Sequence, residues 1–422
     1  MTEPAADLDL TRWIRPGDTV VWGQACAEPR ALTAALVQAR HELDGIRCVV
    51  GIPATTTLKP DTVDGIDVVS YCGSGGNAAL DQAGLLDVLP VHYSTLPALL
   101  TTGALRADVV LVQVSPADAQ GRHCLGLGDD YFSSAIDTAR VVLVEVNRHV
   151  PFVDGARTIA TGDWAHAVWS DVPPAQMPAG VPSDTVAAVA DSVADLVDDG
   201  VTLQIGIGAL PDAVLGRLHD RTDLGFHSGI LTDGVMSLIT SGAASGAAKT
   251  VDPGVAVGGS LVGTAELFEF AHHNPRITLR PTGYTHRIDV LAAQHRLTAI
   301  NSAVEVDLTG AVNAETVGDR YVGAVGGAMD FLRGAALSPG GTPIVALPST
   351  ARGRSRIVAH LSGPVSTPRA DAGLIVTEHG HADLRGLSIS ARVEAMIAVA
   401  APEHRDELAD SAARLATREV TA

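Results

Sequence analysis

Three short stretches of the chain bring together residue types that could do chemistry. The first is His227-Ser228-Gly229-Ile230-Leu231-Thr232-Asp233-Gly234, which sets an imidazole, a hydroxyl and a carboxylate close together. An unperturbed imidazole titrates at about pH 6.5, so His227 could serve as a general base. The competing reading is a core histidine satisfied by backbone. Ser228 adjoins it in an extended segment, so the two side chains point to opposite faces and form no nucleophile–base pair. The second stretch is Gly326-Gly327, followed by Asp330-Phe331; on spacing alone it marks a turn needing positive φ. The third is Arg352, Arg354 and Arg356, the densest basic cluster of the chain. A solvated face is the default for such a run, and contact with an anion is the alternative. In the first half Cys26 and Glu28 share a loop. Glu28 could act as a base or orient a substrate, Cys26 reads as a buried free thiol, and Tyr93 is a further donor. The pair His272-His273, and His379 with His381, lack a matched carboxylate or cysteine partner, so no metal site is expected.

The elements that must position these residues alternate between strand and helix. Asp18 to Trp22, Cys48 to Ile52, Ile66 to Tyr71, Asp87 to Tyr93, Ala107 to Val114 and Val141 to Val146 read as strands. Helices are expected from Arg30 to Gln38 and from Ser94 through Leu105. Alternation at this spacing indicates a parallel sheet covered by helices. The segment from Ser170 to Asp184 carries Pro173, Pro174, Pro178 and Pro182 and is expected to be a stiff extended connector. It divides the chain into an N-terminal α/β domain, 1–183, and a C-terminal one, 184–422. Ser183 or Asp184 then caps a helix to Asp199, with Gly200 ending it. Val201 to Ile205 is a short buried strand. Gly206 and Gly208 permit a tight turn into a helix that Pro211 suits, and His227 to Gly234 reads as a second strand and turn. Val255 to Val262 is a glycine-broken strand, and Leu267 to His272 a short helix.

Composition bounds the function. The chain has 422 residues, of which 46% are hydrophobic, and a formal net charge of −19. That charge argues against a nucleic-acid surface, and any anionic ligand needs a local positive patch. No apolar run is long enough to span a membrane, and the start lacks the basic and apolar regions of a secretory signal. The 4 cysteines, Cys26, Cys48, Cys72 and Cys124, have no CxxC spacing and read as free thiols of a reducing cytoplasm.

Several motifs, in chain order, carry a family resemblance. They are Gly23 to Pro29, Leu89-Pro90-Val91, Ser115 to Gly126, Glu145-Val146-Asn147, the His227–Gly234 stretch, Arg276 to Pro281, Ala299-Ile300-Asn301-Ser302-Ala303-Val304-Glu305-Val306-Asp307-Leu308-Thr309-Gly310, Gly323 to Phe331, Pro343 to Thr350 and Ile375 to Gly386. Together they resemble the acetyl-CoA hydrolase / 4-hydroxybutyrate CoA-transferase family of the family I CoA-transferases, over almost the whole chain. The resemblance implies two open, mostly parallel α/β domains facing each other across a cleft lined by Gly229 and the Gly326-Gly327 loop. It also implies a coenzyme A thioester as substrate, with no metal and no redox cofactor.

The family's chemistry runs through a glutamate that attacks the thioester, and that position is Gly229 here. Glycine has no side chain, so nucleophilic catalysis by a carboxylate is lost at this position. Two smaller departures are Cys124, where the family usually has Ser, and Ala78, where it often has Arg. What the resemblance leaves is a thioester site. Gly326 and Gly327 are expected to offer backbone N–H groups to an oxyanion, a contribution of about 3 kcal/mol per donor. His227 and Glu28 are the catalytic candidates beside them. Gly229, Ser228, Cys26, Tyr93, Asn301 and Asp330 are expected around the substrate, and Gly206, Gly208, Arg352, Arg354 and Arg356 around CoA. Three functions follow. The first is direct acyl transfer from acyl-CoA to a small-molecule amine, hydroxyl or water. The second is ordinary CoA transfer between carboxylates using another carboxylate. The third is non-catalytic binding of CoA esters. Neither nucleic acid nor membrane is an expected partner, and a homodimer is left open.

Overall fold

A computed structural model describes residues 3–4 and 8–420. The chain forms two compact units, but no single cut separates them. The first unit is Met1–Pro178 together with His227–Met236 and Val255–Arg287. The second is Ala179–Phe226, Ser237–Gly254 and Ile288–Ala422. The division expected at 183/184 therefore differs from the observed one, because two segments of the second half fold onto the first.

The first unit is built on an eight-stranded sheet. Its spatial order is Glu3–Pro4, His166–Ser170, Val141–Asn147, Val109–Val114, Thr19–Trp22, Ile46–Val50, Ile66–Ser70, Leu86–Val88. Every pairing is parallel. Val109–Val114 and Val141–Asn147 are buried at every position, as central strands covered on both faces must be. Val20, Trp22, Leu32, Leu36, Ile46 and Leu111 close the core on one side. Strand order reverses between Thr19–Trp22 and Val109–Val114, so the carboxyl ends of those strands bound the crevice where open α/β sheets hold ligands.

The second unit carries a six-stranded sheet in the order Gly225–Phe226, Thr202–Ile205, Leu297–Ser302, Thr342–Ala346, Leu374–Thr377, Gly380–Asp383. All its pairings are parallel except the last, which is a hairpin. The helix Asp184–Ala194 covers it, capped by Ser183, whose hydroxyl accepts from Val186 N–H.

Several bounds differ from the sequence reading. The strand expected at Cys48–Ile52 is Ile46–Val50. The helix expected through Leu105 stops at Thr102, where Gly103 takes φ 78°, and the one expected to Asp199 stops at Ala194. The turn expected at Asp233-Gly234 is instead the start of a helix, Asp233–Ser241. Its signal was present: Val235, Leu238 and Ile239 follow helical spacing, and all are buried. No helix among the described residues is long and apolar enough to cross a membrane.

Candidate active site

The stretch from His227 to Leu231 belongs to the first unit, held there by short-range parallel pairing. His227 bridges Val257, and Ile230–Leu231 pairs with Ser260–Leu261. Gly229 sits half-buried at the bend between them. Its carbonyl accepts from Gly259 N–H at 3.0 Å and Ser260 N–H at 3.2 Å. The approach is close enough to demand glycine at the partner position, since a Cβ on Gly259 would stand 2.9 Å from the Gly229 oxygen. Leu261 N–H in turn bonds Leu127 O, and Asp129 N–H bonds Gly259 O, which ties this layer to the loop after Cys124.

Behind that layer lies a buried polar network. The Ser260 hydroxyl donates to Asp130 Oδ2 at 2.9 Å, and Phe132 N–H donates to Oδ1 at 3.3 Å. Burial pushes the Asp130 carboxyl up to about 7, with the Ser260 bond opposing the shift. Three tyrosines, Tyr71, Tyr93 and Tyr131, pack edge to face with centroids 5.3–6.0 Å apart. Gln24 joins two of them, donating to the Tyr93 hydroxyl at 2.8 Å and accepting from Tyr71 at 2.6 Å. The His286 ring lies 4.9 Å from Tyr93. Its pKa falls to about 3, first from burial and then from the neighbouring His227.

The structure recasts the sequence candidates of this unit. His227 is fully buried, with Nε2 at 3.2 Å from the Thr285 carbonyl. Ser228 is likewise fully buried. Glu28 is buried, and each of its carboxylate oxygens accepts from a threonine, Thr33 at 2.9 Å and Thr55 at 2.7 Å. The Cys26 thiol is buried and pushed up to about 11, mainly by burial, and lies 3.8 Å from Gly263 O. Tyr93 is engaged with Gln24 rather than presented to a ligand. Sequence reading missed Asp130 and Ser260. Asp130 follows Gly128-Asp129 in a stretch with no recognisable catalytic spacing, and its partner is 130 residues away.

In the second unit Gly206, Gly208, Asn301 and the arginine hairpin lie at or beyond the carboxyl ends of the adjacent strands Thr202–Ile205, Leu297–Ser302 and Thr342–Ala346, whereas Gly326-Gly327 precede a helix. Gly206 and Gly208 follow Thr202–Ile205, and Gly208 takes φ 122° before the helix Ala209–Leu215. Asn301, near the end of Leu297–Ser302, pairs with Gln204 through two amide bonds of 3.0 and 3.4 Å. Both are buried, so Asn301 braces two strands. Gly326 takes φ 57° and Gly327 caps the helix Ala328–Leu337, with Asp330 half-buried in its first turn. Thr350–Ala351 and Arg354–Ser355 form a hairpin whose turn is Arg352, at φ 51°, and Gly353. Arg352 and Arg354 are exposed, whereas Arg356 is half-buried. Burial lowers the Arg356 pKa, and among the described residues no carboxylate pairs with it. Glu378, after Leu374–Thr377, accepts from Ser349 N–H at 2.8 Å and its hydroxyl at 2.7 Å, which fixes the strand end preceding the arginine hairpin. Among the described residues no group of three or more His, Cys, Asp or Glu could hold a metal ion.

Comparison with known proteins places these features in context. The N-terminal domain model of acetyl-CoA hydrolase/transferase matches residues 6–163, and the C-terminal one residues 263–412. The chain is 35% identical over 395 residues to a 4-hydroxybutyrate coenzyme A transferase of Clostridium kluyveri, covering 92% of each. It is 33% identical over 411 residues to a succinyl-CoA:cyclohexane-1-carboxylate CoA transferase of Geobacter metallireducens, covering 95% of this chain and 93% of the other. The crystal structure of RipA from Yersinia pestis superposes with a TM-score of 0.90 at 34% identity, covering 96% of each chain.

Proposed function

The chain belongs to the acetyl-CoA hydrolase/transferase family and is an enzyme acting on acyl-CoA thioesters, and we propose that it transfers the acyl group directly to a non-carboxylate acceptor. The observation that carries this reading is Gly229: a glycine, half-buried at a bend, stands where the family resemblance calls for a carboxylate nucleophile. Three carboxylates of the first unit offer no ready replacement. Glu28 is bonded at both oxygens, Asp130 is buried and takes up a proton at about pH 7, and Asp233 Oδ1 accepts from Thr264 N–H and its hydroxyl.

In the proposed reaction the acceptor's lone pair attacks the thioester carbonyl carbon. The oxyanion that forms would be met by backbone N–H groups of the Gly326-Gly327 loop. Collapse expels CoA thiolate, which takes the proton the acceptor loses. Arg356, half-buried and with no carboxylate partner among the described residues, is the guanidinium best suited to a CoA phosphate. With His227 and Glu28 already bonded elsewhere, no base is assigned in the protein. That favours an amine over water or a hydroxyl, because a neutral amine attacks without prior deprotonation.

The relatives' names favour a second reading, CoA transfer between carboxylates through a different acid. One experiment separates the two. The protein is incubated with butyryl-CoA, treated with borohydride or hydroxylamine, and digested for mass spectrometry. Direct transfer leaves no acyl-CoA-derived adduct on any Glu or Asp, while added amines speed CoA release. An adduct on any carboxylate establishes the CoA-transferase reading instead.

A further inference from the structure

A cavity of about 580 Å³ opens in the first unit, and no residue of the His227–Gly234 stretch lines it. It lies beyond the carboxyl ends of three neighbouring strands, Val109–Val114, Val141–Asn147 and His166–Ser170. The helix Ala265–Ala271 closes its far side. Ala265, Phe268, Glu269 and His272 line it, the i, i+3, i+4, i+7 face of one helix and its cap. Its size falls within the roughly 300–1,000 Å³ typical of small-molecule sites, and its position at strand carboxyl ends is the usual one for ligands of a parallel sheet.

The wall is held in a defined shape. His273 takes φ 49° just past the helix, a place where glycine is usual and a side chain costs about 1 kcal/mol. Its ring stacks on Phe152 at 5.2 Å, and its Nδ1 lies 3.3 Å from Asp154 Oδ1. Phe152 N–H donates to His272 Nδ1 at 3.0 Å, so the neutral His272 ring carries its hydrogen on Nε2. Backbone strain of this kind persists where surrounding contacts impose it, often at binding sites.

Charge then narrows the ligand. Arg148, the guanidinium of the wall, pairs with Asp171 at 2.5 Å. Asp118 pairs with Arg122 at 2.7 Å. Among the described residues no cation pairs with Glu269, so the wall's uncompensated charge is one carboxylate. Phe152, Phe268, Pro173 and Pro174 supply apolar flanks around it.

We propose that this cavity binds a small organic ammonium ion, with its apolar body against Phe152, Phe268 and the two prolines and its N–H groups directed to Glu269. A carboxylate or phosphate ligand would face Glu269 with no unpaired guanidinium among the described lining residues to receive it. The cavity is built from residues outside the Gly229 stretch, so this site stands or falls separately from the acyl-transfer reading.

The test is calorimetric titration of the full chain with 3-phenylpropylamine and, separately, with 3-phenylpropionate, which has the same body and the opposite charge. The amine is expected to bind at a single saturable site in the millimolar range or tighter, and the carboxylate not to bind. Glu269→Gln should weaken the amine about fivefold, the upper end for a solvent-touched ion pair. Glu266→Gln, on the same helix but off the cavity wall, should leave it unchanged. Equal binding of the carboxylate, no saturable binding of the amine, or equal effects of the two variants would overturn the proposal.

Discussion

Asp130→Asn gives a prediction whose size follows from the structure. The Asp130 carboxyl is fully buried among Tyr71, Tyr93 and Tyr131, and its pKa stands at about 7 rather than 3.8. The unfolded chain therefore ionises this group at lower pH than the folded one does. Between pH 3.8 and 7 the folded state binds more protons, so stability falls as pH rises through that window. Above pH 7 the ionised carboxylate costs about 4 kcal/mol relative to an exposed one. Below pH 4 the cost is absent. Neighbours work in opposite directions: the charge of Asp129 raises the pKa, while the hydrogen bonds from Ser260, Phe132 and Gln24 lower it. Asparagine never ionises, and its amide oxygen can still accept one bond, from Ser260 or from Phe132. Losing the other costs about 1 kcal/mol. The variant should thus be slightly less stable than the unmutated protein near pH 4. It should overtake with a slope of about 1.4 kcal/mol per pH unit, and be more stable by about 3 kcal/mol at pH 8. Urea denaturation of both proteins at half-unit steps from pH 4.5 to 8 measures this. Curves that stay parallel within about 1 kcal/mol would refute the assignment of a raised pKa to Asp130.

Three further outcomes are expected. Gly229→Glu should introduce CoA exchange between butyryl-CoA and acetate where the unmutated protein shows none; exchange already present at an ordinary enzymic rate would remove Gly229 from the argument. Arg356→Ala should raise KM for acyl-CoA roughly tenfold, the loss of about 1–2 kcal/mol from one half-buried phosphate contact, with kcat little changed; an unchanged KM places the phosphates elsewhere. All four cysteines are free and buried, and the thiols of Cys26 and Cys124 are pushed up to about 11 and about 12. Folded protein should therefore resist iodoacetamide at pH 8 and react on unfolding; rapid alkylation of Cys26 in the folded protein would mean a loop far more open than its packing against Gly263.

Much of the fold was legible locally. Val109–Val114 and Val141–Asn147 are apolar runs too short for helices, and they became the central strands of the first sheet. The proline-rich segment from Ser170 reads as a connector because its prolines withhold backbone donors, and the first unit's opening segment does end at Pro178. Gly206, Gly208 and Gly326 announced turns, and two of them, Gly208 and Gly326, take the positive φ that only glycine adopts freely. The arginine cluster was equally visible. Its division into two solvated side chains and one half-buried guanidinium was not, because burial depends on what packs above the hairpin.

Tertiary structure decided the rest. Which unit holds Gly229 depends on bonds that Gly259 and Ser260 N–H donate to its carbonyl and that Leu261 N–H donates to Leu127 O, pairings that no periodicity within the stretch encodes. The partners of His227 and Glu28 lie far along the chain, the Thr285 carbonyl for one and Thr55 for the other. The raised pKa of Asp130 comes from the burial that folding imposes, against the opposing hydrogen bonds from Ser260, Phe132 and Gln24. Sequence reports residue type and local spacing, which set strands, helices and turns through short-range sterics and hydrogen bonding. The dielectric around a carboxyl and the partner of an imidazole are set by residues tens to hundreds of positions away, and only the folded chain brings those together.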